Sequence, residues 1–394
     1  MSEISPPAEP RDFSLVLGGP LYQLYRRANL AGPTLELLRR RMAAVISITW
    51  LPLLILSVFA GRLLGGPGLP FLHDVETQVR FLFAVPTLIY AELIIHQRIR
   101  PTLQLFLSRR IIADEDLPAF QAAIQSAERM RDSVPLEIGL LMFAFTVGHW
   151  AWAKEVALGT TTWYASPGNG HLHLTLPGYW YAFISIPIAQ FILFRWYMRI
   201  FFWFWLLWRI SRLNLRLIPN HPDRAGGLGF LGESSCVFSP IIFAQAATFS
   251  AALAARILHE GQHLLSFRVT IFGFVVFLMM VFFGPLVVFT PKLAGVRRVG
   301  LFEYGSLATD YVTDFDQKWL RGGAKGEVIL GTGDIQSLAD LASSYAVVQQ
   351  MRIVPFSLND AVVLAVSIAI PFLPLLLTVM PLEDLLGRIV QFIF

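Results

Sequence analysis

Residues 257–265 read ILHEGQHLL, and within them His259-Glu260-Gly261-Gln262-His263 spells H-E-x-x-H. On an unbroken helix that spacing sets two imidazoles one turn apart with a carboxylate between them, the zinc geometry of many metalloproteases. A second string, NHPDRAGGLGFLGESS at 220–235, places Gly227, Gly229 and Gly232 in a G-x-G-x-x-G pattern. Successive amides in such a loop can face one way and form a nest for an anion, here beside His221, Asp223, Arg224 and Gly226. A third group consists of ionisable residues inside apolar runs: Glu92, Glu137, Arg195 and Arg199. Charge at membrane depth is expensive, so such groups either neutralise one another or serve a path.

What positions these residues follows from composition. The chain has 394 residues, 55% of them hydrophobic and only 15% charged, against about 25% charged in soluble domains. No soluble core absorbs that much apolar surface. The expected class is all-α, a polytopic α-helical membrane protein in a lipid bilayer. The single cysteine, Cys236, excludes an internal disulfide and any cysteine-based metal cage. The net charge of +4 arises from loop placement and not from a basic domain, which argues against a nucleic-acid partner.

Seven runs approach the roughly 20 apolar residues that cross a bilayer: Met42–Gly61, Phe81–Ile95, Leu136–Ala153, Tyr179–Trp208, Val237–Leu258, Val269–Phe289 and Asp360–Met380. The first begins late, so it reads as an anchor and not as a cleaved leader. Segments 1–41, 97–134, 209–235 and 291–357 hold 23 of the 31 Lys and Arg residues. The positive-inside rule then puts the N-terminus in the cytoplasm and the C-terminus outside.

The organisation expected is fourfold. Residues 1–41 form an N-terminal cytoplasmic segment, disordered over 1–20. Residues 42–290 form a six-span region with cytoplasmic helices at 97–134 and an Arg/Gly-rich loop at 209–235. Residues 291–357 form a cytoplasmic helical segment. Residues 358–394 hold the seventh span and an outer amphipathic tail. Apolar residues at helical spacing in Asp116–Arg131 and Val299–Arg321, and after Asp334 as a cap, predict a small helical cytoplasmic layer. No strand pattern stands out.

The run GDIQSLADLASSYAVVQQMRIVPF at 333–356, followed by AIPFLPLLLTVMPLEDLL at 369–386, resembles the C-terminal end of a group of uncharacterised bacterial multi-pass membrane proteins. The resemblance implies a bacterial inner-membrane location and implies nothing about chemistry.

Within that topology the zinc motif falls in an outward turn. Gly261 is the strong turn former there, and a helix that stops at Glu260 does not stack His259 on His263. Metal remains open by another route, because His171 and His173 also face outward. With His259, His263 and Glu260, and with Glu155 or Asp74, they are candidate zinc ligands or a pH-sensitive cluster. The plain alternative is that these histidines sit at headgroup level. The glycine string lacks the βαβ setting of a dinucleotide site. It reads as a seat for a phosphate, lipid headgroup or permeating anion, or as a tight turn only. Ser234 or Ser235 is expected to cap the fifth span.

Arg195 and Arg199, at i and i+4, share a helix face. With Glu92 and Glu137 they form either two neutralising pairs or a polar path toward the cytoplasmic side. The favoured function is therefore a channel- or transporter-like protein, alone or as a homo-oligomer. The alternatives are a membrane enzyme, either an outer-face zinc hydrolase or a lipid-phosphate enzyme, and a scaffold or sensor that binds a cytoplasmic protein through 299–351.

Overall fold

The computed structural model describes residues 14–27, 37–156, 161–167, 172–323, 326–328 and 331–377. Among these, seven helices are long and apolar enough to span a membrane: Leu38–Phe59, Val75–Ser108, Val134–Trp152, Leu176–Ser211, Phe230–Glu260, Leu264–Val287 and Leu358–Leu376. The chain is an all-α polytopic membrane protein, as the apolar runs predict. The second, fourth and fifth spans have 34, 36 and 31 residues and bury 50%, 50% and 44% of their apolar windows, whereas the other four bury 17–28%. At ~1.5 Å per residue the three long helices outreach a ~30 Å hydrocarbon layer. They form the inside of the bundle, and Ile138, Met142, Phe272 and Met280 on shorter spans are exposed toward lipid.

Three of the spans contain a π-helical turn: Val79–Ala84, Ala144–Gly148 and Tyr181–Ser185. Two have a visible cause. Pro86 and Pro187 stand just beyond the first and third of these turns. Proline has no N–H for the carbonyl four residues back and its ring crowds that carbonyl, so the ladder widens there. The Val85 amide accordingly reaches Arg80, and the Ile186 amide reaches Tyr181.

Two faces cap the bundle. On the arginine-rich face, helix Leu117–Arg131 packs against the fourth span, and Thr290–Phe315 pairs with Gly333–Gln349. This is the expected helical layer. Asp334 is not its cap: it lies in the first turn, and its carboxylate accepts from Lys318 Nζ at 2.9 Å and Trp319 Nε1 at 3.0 Å. Ser234 and Ser235 do not cap the fifth span either, because the helix starts earlier and both hydroxyls bond back to the Leu231 carbonyl. The seventh span begins with a capping box of Ser357 and Asp360.

The expectation of disorder over 1–20 fails in its described part. Leu15 and Val16 are buried, and helix Pro20–Arg27 follows them. The outer tail, 382–394, lies outside the described residues.

The opposite face carries a hairpin that the sequence did not announce. Strand β1 (Ala165–Pro167) pairs antiparallel with β2 (Leu172–Leu174), Ser166 opposite His173. Three-residue strands are too short to show alternation. Trp163 underpins the hairpin, with ring centroids 4.9 Å from Phe71 and 5.1 Å from Tyr181. A Cβ at Gly178 would lie 1.9 Å from the Tyr164 carbonyl oxygen, while one at Gly139 would meet nothing within 4 Å. Gly178→Ala should therefore lower stability by about 1–3 kcal/mol, as overpacking does. Gly139→Ala should change it by less than about 0.5 kcal/mol, and thermal unfolding in detergent checks both.

Candidate functional site

The four ionisable residues singled out inside the spans meet, and a fifth joins them. Glu92 on the second span contacts Arg41 on the first at 2.5 Å, and Arg199 and Arg195 on the fourth at 2.8 and 3.4 Å. Arg195 Nε donates to Glu137 of the third span at 2.9 Å. All five are buried. The group holds three guanidiniums and two carboxylates, an excess of one positive charge. Aromatic rings accept part of it: Arg41 lies 5.2 Å from the Tyr25 centroid and Arg199 lies 4.8 Å from that of Trp196. Arg41 was missed because it ends the Arg39-Arg40-Arg41 run, which looks like a membrane flank. Its burial leaves no mark in the sequence, because it stands at the very edge of the apolar run that begins at Met42.

The N-terminal segment seals this network on the arginine-rich face. The Leu21 amide donates to Glu137 Oε2 at 2.7 Å. Arg131 donates to the Ser14 carbonyl, and the Ser14 hydroxyl lies 2.9 Å from His96 Nδ1. Gly19 has φ +85°, and a Cβ there would stand 3.3 Å from Glu137 Oε1. Only glycine takes that backbone and that approach without strain.

Two cavities open from the hairpin face. The outer one, about 580 Å³, is lined by His73, Glu76, Tyr164, Arg256, His259 and Glu260 among others. The inner one, about 340 Å³, is lined by the second to sixth spans and includes Glu76, Arg80, Leu88, Trp152, Gln245 and Phe274. They share Glu76, Trp152 and Ala252 as wall residues, so they lie side by side. Both volumes fall in the range of roughly 300–1,000 Å³ typical of ligand sites. Arg80 and Ala84 of the first π turn form part of its wall, as does Ile186, which directly follows the third. At its floor Leu88 precedes Glu92 by one helical turn. The Leu88 carbonyl accepts from the indole of Trp196 at 3.0 Å, and Trp196 is 1% exposed. Trp196 thus stands between cavity and charge network.

The metal reading does not survive in its catalytic form. The fifth span ends at Glu260, and Gly261 adopts φ +66°. His263 is extended at the start of the next turn, so the two imidazoles are not stacked on one helix. Among the described residues no three His, Cys, Asp or Glu side chains gather as a metal site. His173 sits exposed on β2, while His171 and the Glu155 side chain lie outside the described residues. Asp74 is committed locally, accepting from Thr77 Oγ1 at 2.7 Å and Trp163 Nε1 at 2.9 Å.

The glycine loop forms its anion nest, and its own carboxylate occupies it. Asp223 accepts from the amides of Ala225, Gly227 and Gly229 at 2.8, 3.1 and 2.8 Å. His221 Nδ1 lies 2.8 Å from the same carboxylate. Arg224 takes φ +53° and Gly226 φ +64° to shape the turn. Arg352 then clamps the loop, its amide donating to the Arg224 carbonyl and its guanidinium to that of Asp223. The donors expected to seat an external phosphate are engaged within the loop.

No protein-family model, no curated protein and no solved structure matches the chain. The class is set by the fold: an integral membrane protein with, among the described residues, seven helices long and apolar enough to span a bilayer, three of them long and inner.

Partial burial acts to raise the Asp223 pKa, but the amides of Gly229, Ala225 and Gly227 and nearby His221 outweigh it and hold the carboxyl below its ordinary value. A depressed folded-state pKa contributes stability that is present above the unfolded pKa of about 3.9 and is lost as pH falls through the folded one. Hydrogen-exchange protection at Gly227 and Gly229 should therefore hold near neutrality and fall below about pH 4. In Asp223→Asn it should already be reduced at pH 7, by the equivalent of about 1.5–3 kcal/mol.

Proposed function

We propose that the protein is a transport protein whose path runs from the outer cavity, through the inner cavity and past Trp196, to the Glu92–Arg199 network. The supporting observation is that the two cavities share a wall and that the inner one reaches Leu88, one turn from a buried network that bears an excess positive charge. The N-terminal segment closes the other end. Such an arrangement suits a carrier caught open on one side better than an open channel. The excess positive charge favours an anion at the deep end of the path.

The Lys and Arg excess on the face that carries the N-terminal segment supports a cytoplasmic location for it, with the hairpin on the outside. The C-terminal resemblance to bacterial multi-pass proteins supports an inner-membrane setting. The enzyme alternatives lose their support, since the zinc motif is broken at Gly261 and the glycine-loop amides are engaged by Asp223.

Chloride release from proteoliposomes, followed with an ion-selective electrode, tests the path. It should be slow for the intact chain and rise about tenfold, a barrier drop of ~1.4 kcal/mol, when residues 1–27 are removed or Trp196 is replaced by Ala. Slow release from all three proteins would remove the transport reading.

A further inference from the structure

The arginine-rich face carries two complementary surfaces, and neither covers the other. The first is on a two-helix arm formed by Thr290–Phe315 and Gly333–Gln349. Its root sits on the glycine loop. A Cβ at Gly300 would meet Pro219 and Val348, and the Leu293 side chain stands against Gly226. Further out the two helices hold each other, the Tyr311 hydroxyl donating to the Asp334 carbonyl at 3.1 Å. Beyond Gly300 the first helix buries no side chain, and it continues through a π turn to Leu320. At ~1.5 Å per residue it extends ~30 Å past Gly300.

One face of that helix presents Val299, Glu303, Leu307, Asp310 and Asp314, at i, i+4, i+8, i+11 and i+15. All five are exposed. Residues 301–349 hold seven Asp and Glu against three Lys and Arg, in a chain whose net charge is +4. Asp316 and Asp334 are engaged within the arm, by Arg321 at 2.8 Å and Lys318 at 2.9 Å. Among the described residues, Glu303, Asp310 and Asp314 pair with no cation. Aliphatic groups spaced among carboxylates suit an arginine surface. Guanidiniums take the carboxylates, and their methylene stems cover the aliphatic groups.

Such a surface lies at the start of the first span. The Tyr25 ring stands 5.2 Å from Arg41, which brings helix Pro20–Arg27 beside the first turn of helix Leu38–Thr49. Leu24, Arg26, Arg27, Arg39 and Arg40 are exposed there. Among the described residues no carboxylate pairs with these four arginines. The first span packs on the second and fourth, whereas the arm joins the sixth span to the seventh, which packs on the fifth. The inner trio thus stands between the two surfaces. Complementary patches on different sides of one molecule pair head to tail between molecules. A membrane confines the rotation to its normal, so the contacts can close into a ring.

We infer that copies of this chain assemble head to tail in the membrane. The stripe Val299, Glu303, Leu307, Asp310 and Asp314 of one copy docks on Leu24, Arg27, Arg39 and Arg40 of the next. The assembly stands on these surfaces alone and does not rest on the transport reading.

Disulfide trapping of the full chain in vesicles of neutral lipid tests it, with Cys236 replaced by Ala and lipid in large excess so that chance encounters are rare. Leu24→Cys chains and Leu307→Cys chains, one kind carrying a size tag, should cross-link when reconstituted together. Either kind oxidised by itself should give no dimer. Glu303→Lys/Asp310→Lys/Asp314→Lys in the Leu307→Cys chain should lower the yield about tenfold, the scale of a few exposed ion pairs acting together. The yield should return when the Leu24→Cys chain carries Arg27→Glu/Arg39→Glu/Arg40→Glu. That rescue separates a lost contact from a lost fold. Raising salt from 0.1 M to 1 M shortens the screening length from about 10 Å to about 3 Å, and should weaken the cross-link as well. Dimers from one kind of chain alone would show a symmetric contact and overturn the assignment. Absence of any cross-link, charge reversal without effect or without rescue, or loss of the cross-link when anionic lipid is added to cover the arginines would overturn it too.

Discussion

Burial of Glu92 among three arginines is the constraint on which the rest of the structure depends. Moving an ion out of water carries a penalty of several kcal/mol even after relaxation, and none of these five side chains lies where water can compensate. Each therefore has to find the others. Arg41 ties the first span to the second, Arg199 and Arg195 tie the second to the fourth, and Glu137 brings in the third. Lipid gives helices little hydrophobic reason to associate, so this network fixes the relative depth and rotation of four spans. It also orders the N-terminal segment, because Glu137 retains an oxygen that the Leu21 amide satisfies.

The two ends of the bundle handle polar groups differently. On the arginine-rich face, local strings satisfy themselves. Asp223 fills the nest made by its own loop, Arg352 clamps that loop, and Asp334 takes Lys318 and Trp319. Toward the hairpin face, Pro86 and Pro187 widen two helices, and Gly148 lets Gln190 approach a third. The inner cavity there is lined by Ala, Val, Leu, Ile, Phe and Trp side chains together with Glu76, Arg80, Gln190, Gln245 and Thr248.

Much of the fold was legible in the sequence, for reasons that can be stated. Apolar runs of span length have few alternatives, and all seven became helices. Arg195 and Arg199 announced a shared face by their spacing, and Gly261 announced the break in the zinc motif. Other features were hidden by their chemistry. Arg41 passed as a flanking charge, since depth is invisible at the edge of an apolar run. The burial of Leu15 and Val16 depends on partners more than eighty residues away, such as His96 beside Ser14. The nest at 220–235 was visible, whereas its occupant was not, because Asp223 reads equally well as a loop charge.

The most direct test of the central claim is thiol accessibility in sealed vesicles, using a membrane-impermeant maleimide on chains with Cys236 replaced by Ala. A cysteine at Ala252, a wall residue of both cavities, should react from the hairpin side. A cysteine at Val16 should resist the reagent from either side, and should become reactive once Glu137→Gln loosens the hold on the Leu21 amide. Rapid labelling at Val16 in the chain with Glu137 intact, matching that at Ala252, would contradict a network that closes one end of the bundle.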